Sequence, residues 1–97
     1  MMILRTMISL ENLPVCKTKE EHASLCDEII KQGGIPKQHL ETGVTYEGIS
    51  RNTNLAKWNG EYFTYLRYKF GTSFVDKIKH FEDDMVYDVF IPLKRCI

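Results

Sequence analysis

The sequence predicts an α+β fold: a small, curved, mostly antiparallel sheet of about five strands, packed on one long helix in the order β-α-β-β-β-α-β. Three observations support this prediction. An apolar stripe at helical spacing lies near the N-terminus, an Asn-Gly pair separates two β-rich segments, and period-two alternation marks both ends of the chain. A small open β-barrel with a helix is the alternative topology.

Length and composition indicate one ordered domain over residues 1–97. The chain is 43% hydrophobic and 27% charged, which is typical of a folded protein and not of a disordered one. Its three cysteines show no CxxC spacing, which favours a reducing compartment. No apolar run approaches the ~20 residues that cross a bilayer, and the N-terminus lacks a signal-peptide pattern. We therefore expect a cytoplasmic protein without membrane contact.

The N-terminal third is predicted to form a strand and then the helix. Residues 2–10 alternate in the manner of a strand. Thr18 and Glu21 have the spacing of a capping box, which predicts a helix from about 19 to 32, and Gly33-Gly34 ends it. One face of this helix carries the apolar stripe of His22, Leu25, Cys26, Ile29 and Ile30.

The middle of the chain predicts a β-hairpin. A short strand over 45–49 comes first, and the segments 55–58 and 61–70 then flank Asn59-Gly60. Because both residues tolerate positive φ, this pair predicts a type I′ turn. Alternation along the second arm places one set of side chains on a common face: Phe63, Tyr65, Arg67 and Lys69.

The C-terminal part predicts a second, short helix and a last strand. Ser73 with Asp76 resembles a helix cap, and the apolar residues that follow over 73–83 are spaced closer to 3.6 than to 2. A strand over 85–91 then ends at Pro92.

Function is predicted by elimination together with a surplus of aromatic residues. No nucleophile elbow, phosphate-binding loop or HExxH pattern is present, so we expect no enzyme and no cofactor. Trp, Tyr and Arg dominate interface energetics, which favours a non-catalytic protein-binding, inhibitory or accessory protein, with a protein partner or as a homodimer. Its predicted binding surface consists of Arg51, Lys57, Trp58, Phe63, Tyr65, Arg67 and Lys69.

Two alternatives use other chemistry. A net charge of zero excludes the whole-domain positive field of a dedicated nucleic-acid binder, yet the cations and aromatics of the hairpin suit single-stranded nucleic acid. The third hypothesis is a metal-dependent hydrolase. We nevertheless predict no set of metal ligands, and the group of Cys16, His22 and Cys26 is not favoured as one. The candidate residues of the hydrolase are Asp76, His80, Glu82, Asp83, Asp84 and Asp88.

Overall fold

A computed structural model describes residues 16–83 and 89–96. The predicted first strand, over 2–10, and the first residues of the predicted last strand, over 85–88, lie outside the described residues. Within them the chain forms one α-helix, one short 3-10 turn and five strands. No helix in this part of the chain is long and apolar enough to span a membrane.

The helix α1 covers Lys19–Lys31 and begins at the predicted cap. The Thr18 hydroxyl accepts a hydrogen bond from the Glu21 backbone N–H at 3.1 Å, and the Glu21 carboxylate accepts one from the Thr18 N–H at 3.2 Å. Two otherwise unpaired amides of the first turn are thereby satisfied, which confirms the capping box. The apolar stripe buries Cys26 and Ile29.

The five strands form a mixed sheet that closes into a ring. Neighbours in chain order pair antiparallel from the first strand to the fourth, and the fifth pairs antiparallel with the first and parallel with the fourth. The α+β class is therefore consistent with the structure, whereas the described part of the chain lacks the predicted second helix. The strands are β1 Thr45–Ile49, β2 Leu55–Trp58, β3 Phe63–Lys69, β4 Thr72–His80 and β5 Val89–Arg95.

Strand β4 occupies most of the segment predicted to be a short helix, so that prediction is wrong. It pairs with β3 in unbroken register from Phe63↔Ile78 to Lys69↔Thr72. Seven consecutive cross-strand pairs outweigh the weak cap at Ser73, because cross-strand packing is the unit of sheet stability. The apparent helical spacing arose because Phe81 lies just beyond the strand and packs in the core under α1.

Strand β5 continues through Pro92 to Arg95, although the sequence predicted that it would end at the proline. Pro92 lies opposite Gly48 where the register between β1 and β5 shifts. Such an irregularity accommodates a residue that lacks a donor N–H. Gly48 also has no room for a side chain, since a Cβ there would overlap the carbonyl oxygen of Ile91.

The predicted hairpin is confirmed, but its turn differs from the prediction. Trp58 pairs with Phe63, so the connection holds four residues and is not a type I′ turn at Asn59-Gly60. The Asn59 side-chain oxygen accepts hydrogen bonds from the backbone N–H groups of Glu61 and Tyr62, at 2.9 and 2.8 Å. Asn59 therefore stabilises the loop through its side chain and not through a positive φ.

Two apolar clusters form the described core. One lies between α1 and the sheet and contains Cys26, Ile29, Phe81, Val89 and Ile91. The other fills the interior of the ring and contains Tyr46, Ala56, Trp58, Phe63, Tyr65, Ile78 and Phe90.

Candidate binding surface

The three aromatic residues of the predicted binding surface lie inside the protein. Trp58, Phe63 and Tyr65 are each at most 8% exposed. Phe63 and Tyr65 do share a face of β3, as the alternation predicted, but the ring of strands closes over that face. The prediction that these rings form a contact surface is therefore wrong as the chain is folded.

Phe63 is packed on several sides by aromatic residues in the interior of the ring of strands. Its ring centroid lies 4.9 Å from that of Trp58 and 4.7 Å from that of Phe90, in tilted geometry. The His80 ring stacks on it at 6.1 Å. Aromatic pairs at such separations stabilise the core beyond the area that they bury.

The four charged residues of the predicted surface remain accessible but do not gather around a ring that could stack on a base. Arg51 is exposed in the loop before β2, and Lys57 points outward from β2. Arg67 is half-buried and donates to the Asp76 carboxylate at 3.0 Å, while Lys69 lies near the tip of the β3–β4 hairpin.

Asp76 is held in its charged form. The backbone N–H of Lys77, at 2.9 Å, and the Arg67 guanidinium hold the pKa of the Asp76 carboxyl below its usual value. The carboxylate thus balances Arg67 locally, and the hairpin's positive charge is smaller than its cation count suggests.

The opposite face of the hairpin exposes an apolar patch that the sequence reasoning missed. Leu66, Tyr68 and Val75 are 66% to 78% exposed, and Phe70 at the tip is 94% exposed. Leu66 pairs directly with Val75, and Tyr68 with Ser73, so Leu66, Tyr68 and Val75 share one side. We call Leu66, Tyr68, Phe70 and Val75 the apolar patch. Both sides of β3 carry apolar residues in the sequence. Only the burial of Phe63 and Tyr65 in the structure shows which side is exposed.

This patch lies on a two-stranded ribbon that extends past the ring. On one side, β2 pairs with β3 only at Lys57↔Thr64 and Trp58↔Phe63. On the other, β5 pairs with β4 only at Lys79 and His80. Residues 65–76, here called the ribbon, are therefore joined only to each other among the described strands. Both ribbon edges present backbone groups without a neighbouring strand in the described part of the chain, which is the arrangement that invites further pairing.

The tip of the ribbon is a two-residue turn in a strained conformation. Phe70 has φ 54° and Gly71 has φ 77°, which are the positive values of a type I′ turn. Glycine adopts them at no steric cost, whereas a bulky residue in this region is an outlier. Strain of this kind, about 1–3 kcal/mol, clusters at functional positions.

A groove opens at the root of the ribbon, where β2 and β3 separate. Its volume is about 510 Å³, and it lies on the outer face of the sheet. Leu55, Leu66 and Val75 line it with exposed apolar side chains. The groove is thus continuous with the apolar patch.

A second cleft, of about 590 Å³, carries more charge. Lys37, Lys77 and Lys79 line it together with Glu61 and Asp83. Lys37 is ion-paired with Asp83, and Lys77 lies 5.2 Å over the ring of Tyr62. The Lys37–Asp83 ion pair offsets part of the cleft's positive charge.

His80, one of the candidate residues of the hydrolase hypothesis, is a buried core residue. It is 0% exposed, and both ring nitrogens have partners. Nε2 donates to the Ile35 carbonyl oxygen at 2.8 Å, and Nδ1 accepts from the Glu82 backbone N–H at 3.1 Å. Burial lowers the pKa of His80, which keeps the imidazole neutral.

Two of the acidic residues that were grouped with His80, Glu82 and Asp83, both contact Lys37. Glu82 accepts a hydrogen bond from the Lys37 backbone N–H at 2.7 Å, and Asp83 pairs with the Lys37 ammonium. Asp84 and Asp88 lie outside the described residues. Within the part of the chain that the structure describes, no three His, Cys, Asp or Glu side chains gather as a metal site would require.

Cys26 and His22 meet on the inner face of α1. The Cys26 sulfur lies 3.5 Å from His22 Nε2, and both side chains contact the Phe81 carbonyl oxygen. Burial first, and then the Glu82 carboxylate, raise the pKa of the Cys26 thiol to about 11. A thiol held protonated is a poor nucleophile.

Comparison with protein-family models, with curated proteins and with solved structures found no match.

Proposed function

We propose that this protein is a non-catalytic binding protein that contacts a protein partner through the apolar patch on its ribbon. The observation that carries the proposal is the exposure of Leu66, Tyr68, Phe70 and Val75 on a segment that extends past the ring. The predicted class of function is kept, while the contact surface moves to the other face of the same hairpin.

The size of the patch supports a binding role. Aromatic side chains bury about 150–250 Å² each, and Tyr68 and Phe70 expose most of theirs. Together with Leu66 and Val75, the patch reaches the ~300–600 Å² of the largest apolar patches on monomers, which are often functional. The root groove extends this surface toward Leu55.

The chemistry of the patch favours a protein over single-stranded nucleic acid. Nucleic-acid affinity depends on cations placed against phosphates, whereas the side chains of the patch are uncharged. Of the nearby cations, Arg67 is paired with Asp76 and Lys77 lies over Tyr62. The Trp58, Phe63 and Tyr65 rings proposed for base stacking are buried.

A capture experiment with matched variants tests this function. We would compare the tagged wild-type protein with a Leu66→Ser/Val75→Thr variant, both in extract of its native cell and with an untagged copy. Leu93→Ser, which changes an exposed apolar residue of β5, is the control. We expect the ribbon variant to lose the partner and the control to retain it, with far-UV circular dichroism confirming that both fold. Equal recovery with both variants, or no partner for the wild type at micromolar concentration, contradicts the proposal.

A further inference from the structure

We propose that the partner on the ribbon is a second copy of this chain, joined by antiparallel pairing of the β3 edges around a two-fold axis at Tyr68. This inference rests on the proposed function, because it uses the same apolar patch. Three features of the ribbon support it: a backbone edge without a described neighbour, a tip residue matched to the root groove, and an uncharged contact face.

The β3 edge supplies the backbone part of the interface. Beyond Thr64, β3 has β4 on one side and no described strand on the other. Antiparallel pairing of this edge with its own copy turns two ribbons into one four-stranded sheet. Such pairing gives partners to the outward backbone groups of β3 around Tyr68 in both copies, and a two-fold axis uses the same groups from each copy.

The spacing of side chains along β3 makes the ribbon complementary to itself. With Tyr68 on the axis, Leu66 lies across from the tip turn of the second copy, where Phe70 directly follows β3. Leu66 lines the root groove, so Phe70 of the second copy falls at the groove entrance, and the reverse holds across the axis. The most exposed large hydrophobic side chain of the described residues thus meets the apolar root groove. One two-fold operation fills both grooves.

The charges on the ribbon permit this register. Leu66, Tyr68 and Phe70 bring no charge to the outer side, and Val75 and Ser73 flank them on β4. On the other side, Arg67 faces Lys69 of the second copy. That repulsion is reduced because Arg67 already pairs with Asp76 at 3.0 Å. A register centred on Arg67 would instead place the two guanidinium groups directly opposite each other.

The exposed area is of the order that a stable contact requires. A standard interface buries about 800 Å² per partner. The rings of Tyr68 and Phe70 supply roughly 250–450 Å² of this at 78% and 94% exposure, taking about 150–250 Å² per ring. Leu55, Leu66 and Val75 add exposed apolar surface around them.

A site-specific cross-link tests the register. Residues directly opposite in an antiparallel pair have Cα atoms about 4.5–5.5 Å apart, within reach of a disulfide. In a Cys96→Ser background, which removes the exposed native cysteine, Tyr68→Cys should form covalent dimers with oxidised glutathione. Ser73→Cys is the matched control, because it pairs with Tyr68 within one chain but lies one strand farther from the axis. Its copies would be about 15 Å apart at the usual strand spacing, so we expect monomers.

Sedimentation gives the second, cysteine-free measurement. The wild type should sediment as a dimer, and Phe70→Asn should weaken the dimer about tenfold or more while folding normally, because Asn suits the positive φ at the tip. Equal cross-linking of the two cysteine variants, or a wild type that stays monomeric at high micromolar concentration, overturns the homodimer. If a different protein is then captured and lost with Leu66→Ser/Val75→Thr, the proposed function survives without it. If no association depends on the patch, both proposals are wrong.

Discussion

His80 and Ile35 are joined by a hydrogen bond of 2.8 Å, in which the ring Nε2 of His80 donates to the backbone carbonyl oxygen of Ile35. Forty-five residues of chain separate the two. Because the Glu82 N–H donates to Nδ1 of the same ring, the fold uses the neutral imidazole as a bridge between segments. A buried polar side chain with both nitrogens satisfied stabilises the fold, and its protonation would break the Glu82 contact.

This bridge predicts a loss of stability on mild acidification. Burial holds the pKa of His80 below its ordinary value of 6.5, so the unfolded state binds the proton more readily than the folded state. The free energy of unfolding should therefore be constant above about pH 6.5 and fall as the pH drops toward the folded-state pKa. Urea unfolding followed by the fluorescence of buried Trp58 measures this between pH 8 and pH 5.

The matched variants are His80→Gln and His39→Gln. His39 is exposed in the 3-10 turn, so its replacement should leave the pH dependence unchanged. His80→Gln should be less stable at pH 8 and nearly independent of pH over the same interval. Asp76 contributes in a lower window, because its pKa is depressed below 3.8 and its stabilisation is lost only as the pH falls below that value. An unchanged slope in His80→Gln would assign the effect to another group.

Phe63→Ala tests the burial of the predicted surface. Phe63 is 0% exposed and packs against Trp58, Phe90 and His80. Removing its ring should lower the free energy of unfolding by about 3–5 kcal/mol, as is usual for a large aromatic side chain in a packed core. Chemical denaturation measures the change. A loss below about 1 kcal/mol would mean that the ring is accessible, as the sequence had indicated.

Phe70→Asn is expected to stabilise the folded chain. Phe70 holds φ 54° next to Gly71 at φ 77°, and Asn-Gly is the favoured pair for this turn. We expect a gain of about 0.5–1 kcal/mol, since the left-handed conformation costs roughly 1–2 kcal/mol in ordinary residues and less in Asn. The melting temperature should be measured at low micromolar concentration and compared with that of Phe70→Ala, which should not gain. A rise in stability with loss of association would identify strain retained for binding.

Thiol labelling should distinguish the cysteines by environment. Cys26 is buried and its pKa is raised to about 11, whereas Cys96 is exposed. Since the thiolate is the reactive form, iodoacetamide at pH 8 should modify Cys96 first, and Cys26 only after unfolding in guanidinium. Peptide mass spectrometry with and without denaturant reads both sites. Rapid native labelling of Cys26 would contradict the packing of α1 on the sheet.

Features set by neighbouring residues could be predicted from the sequence. The capping box depends only on Thr18 and Glu21 being three residues apart, and it is present as expected. The hairpin around Asn59 was also predicted correctly, although Asn59 acts through its side chain and not through its backbone angles. Turn-forming residues such as Asn59-Gly60 thus indicate where two strands are connected, but not which conformation the connecting loop adopts.

Features that depend on residues far apart in the sequence could not be predicted from it. Segment 73–83 has the spacing of a short helix when read alone, and only the seven pairs with β3 make most of it a strand. Likewise, β3 carries aromatic residues on both faces, so alternation defines two equivalent surfaces without ranking them. The sequence prediction therefore chose the face of β3 whose aromatic residues are buried.

The sequence by itself determined the helix start, the hairpin and the pairing of side chains into two faces, because each depends on contacts within a few residues. The tertiary structure alone decided that Phe63 and Tyr65 lie inside while Leu66 and Tyr68 lie outside. That choice depends on which face of β3 the ring of strands encloses. The ring is closed by contacts of β5 with β1 and β4, and every β5 residue in those contacts lies twenty or more positions beyond the end of β3.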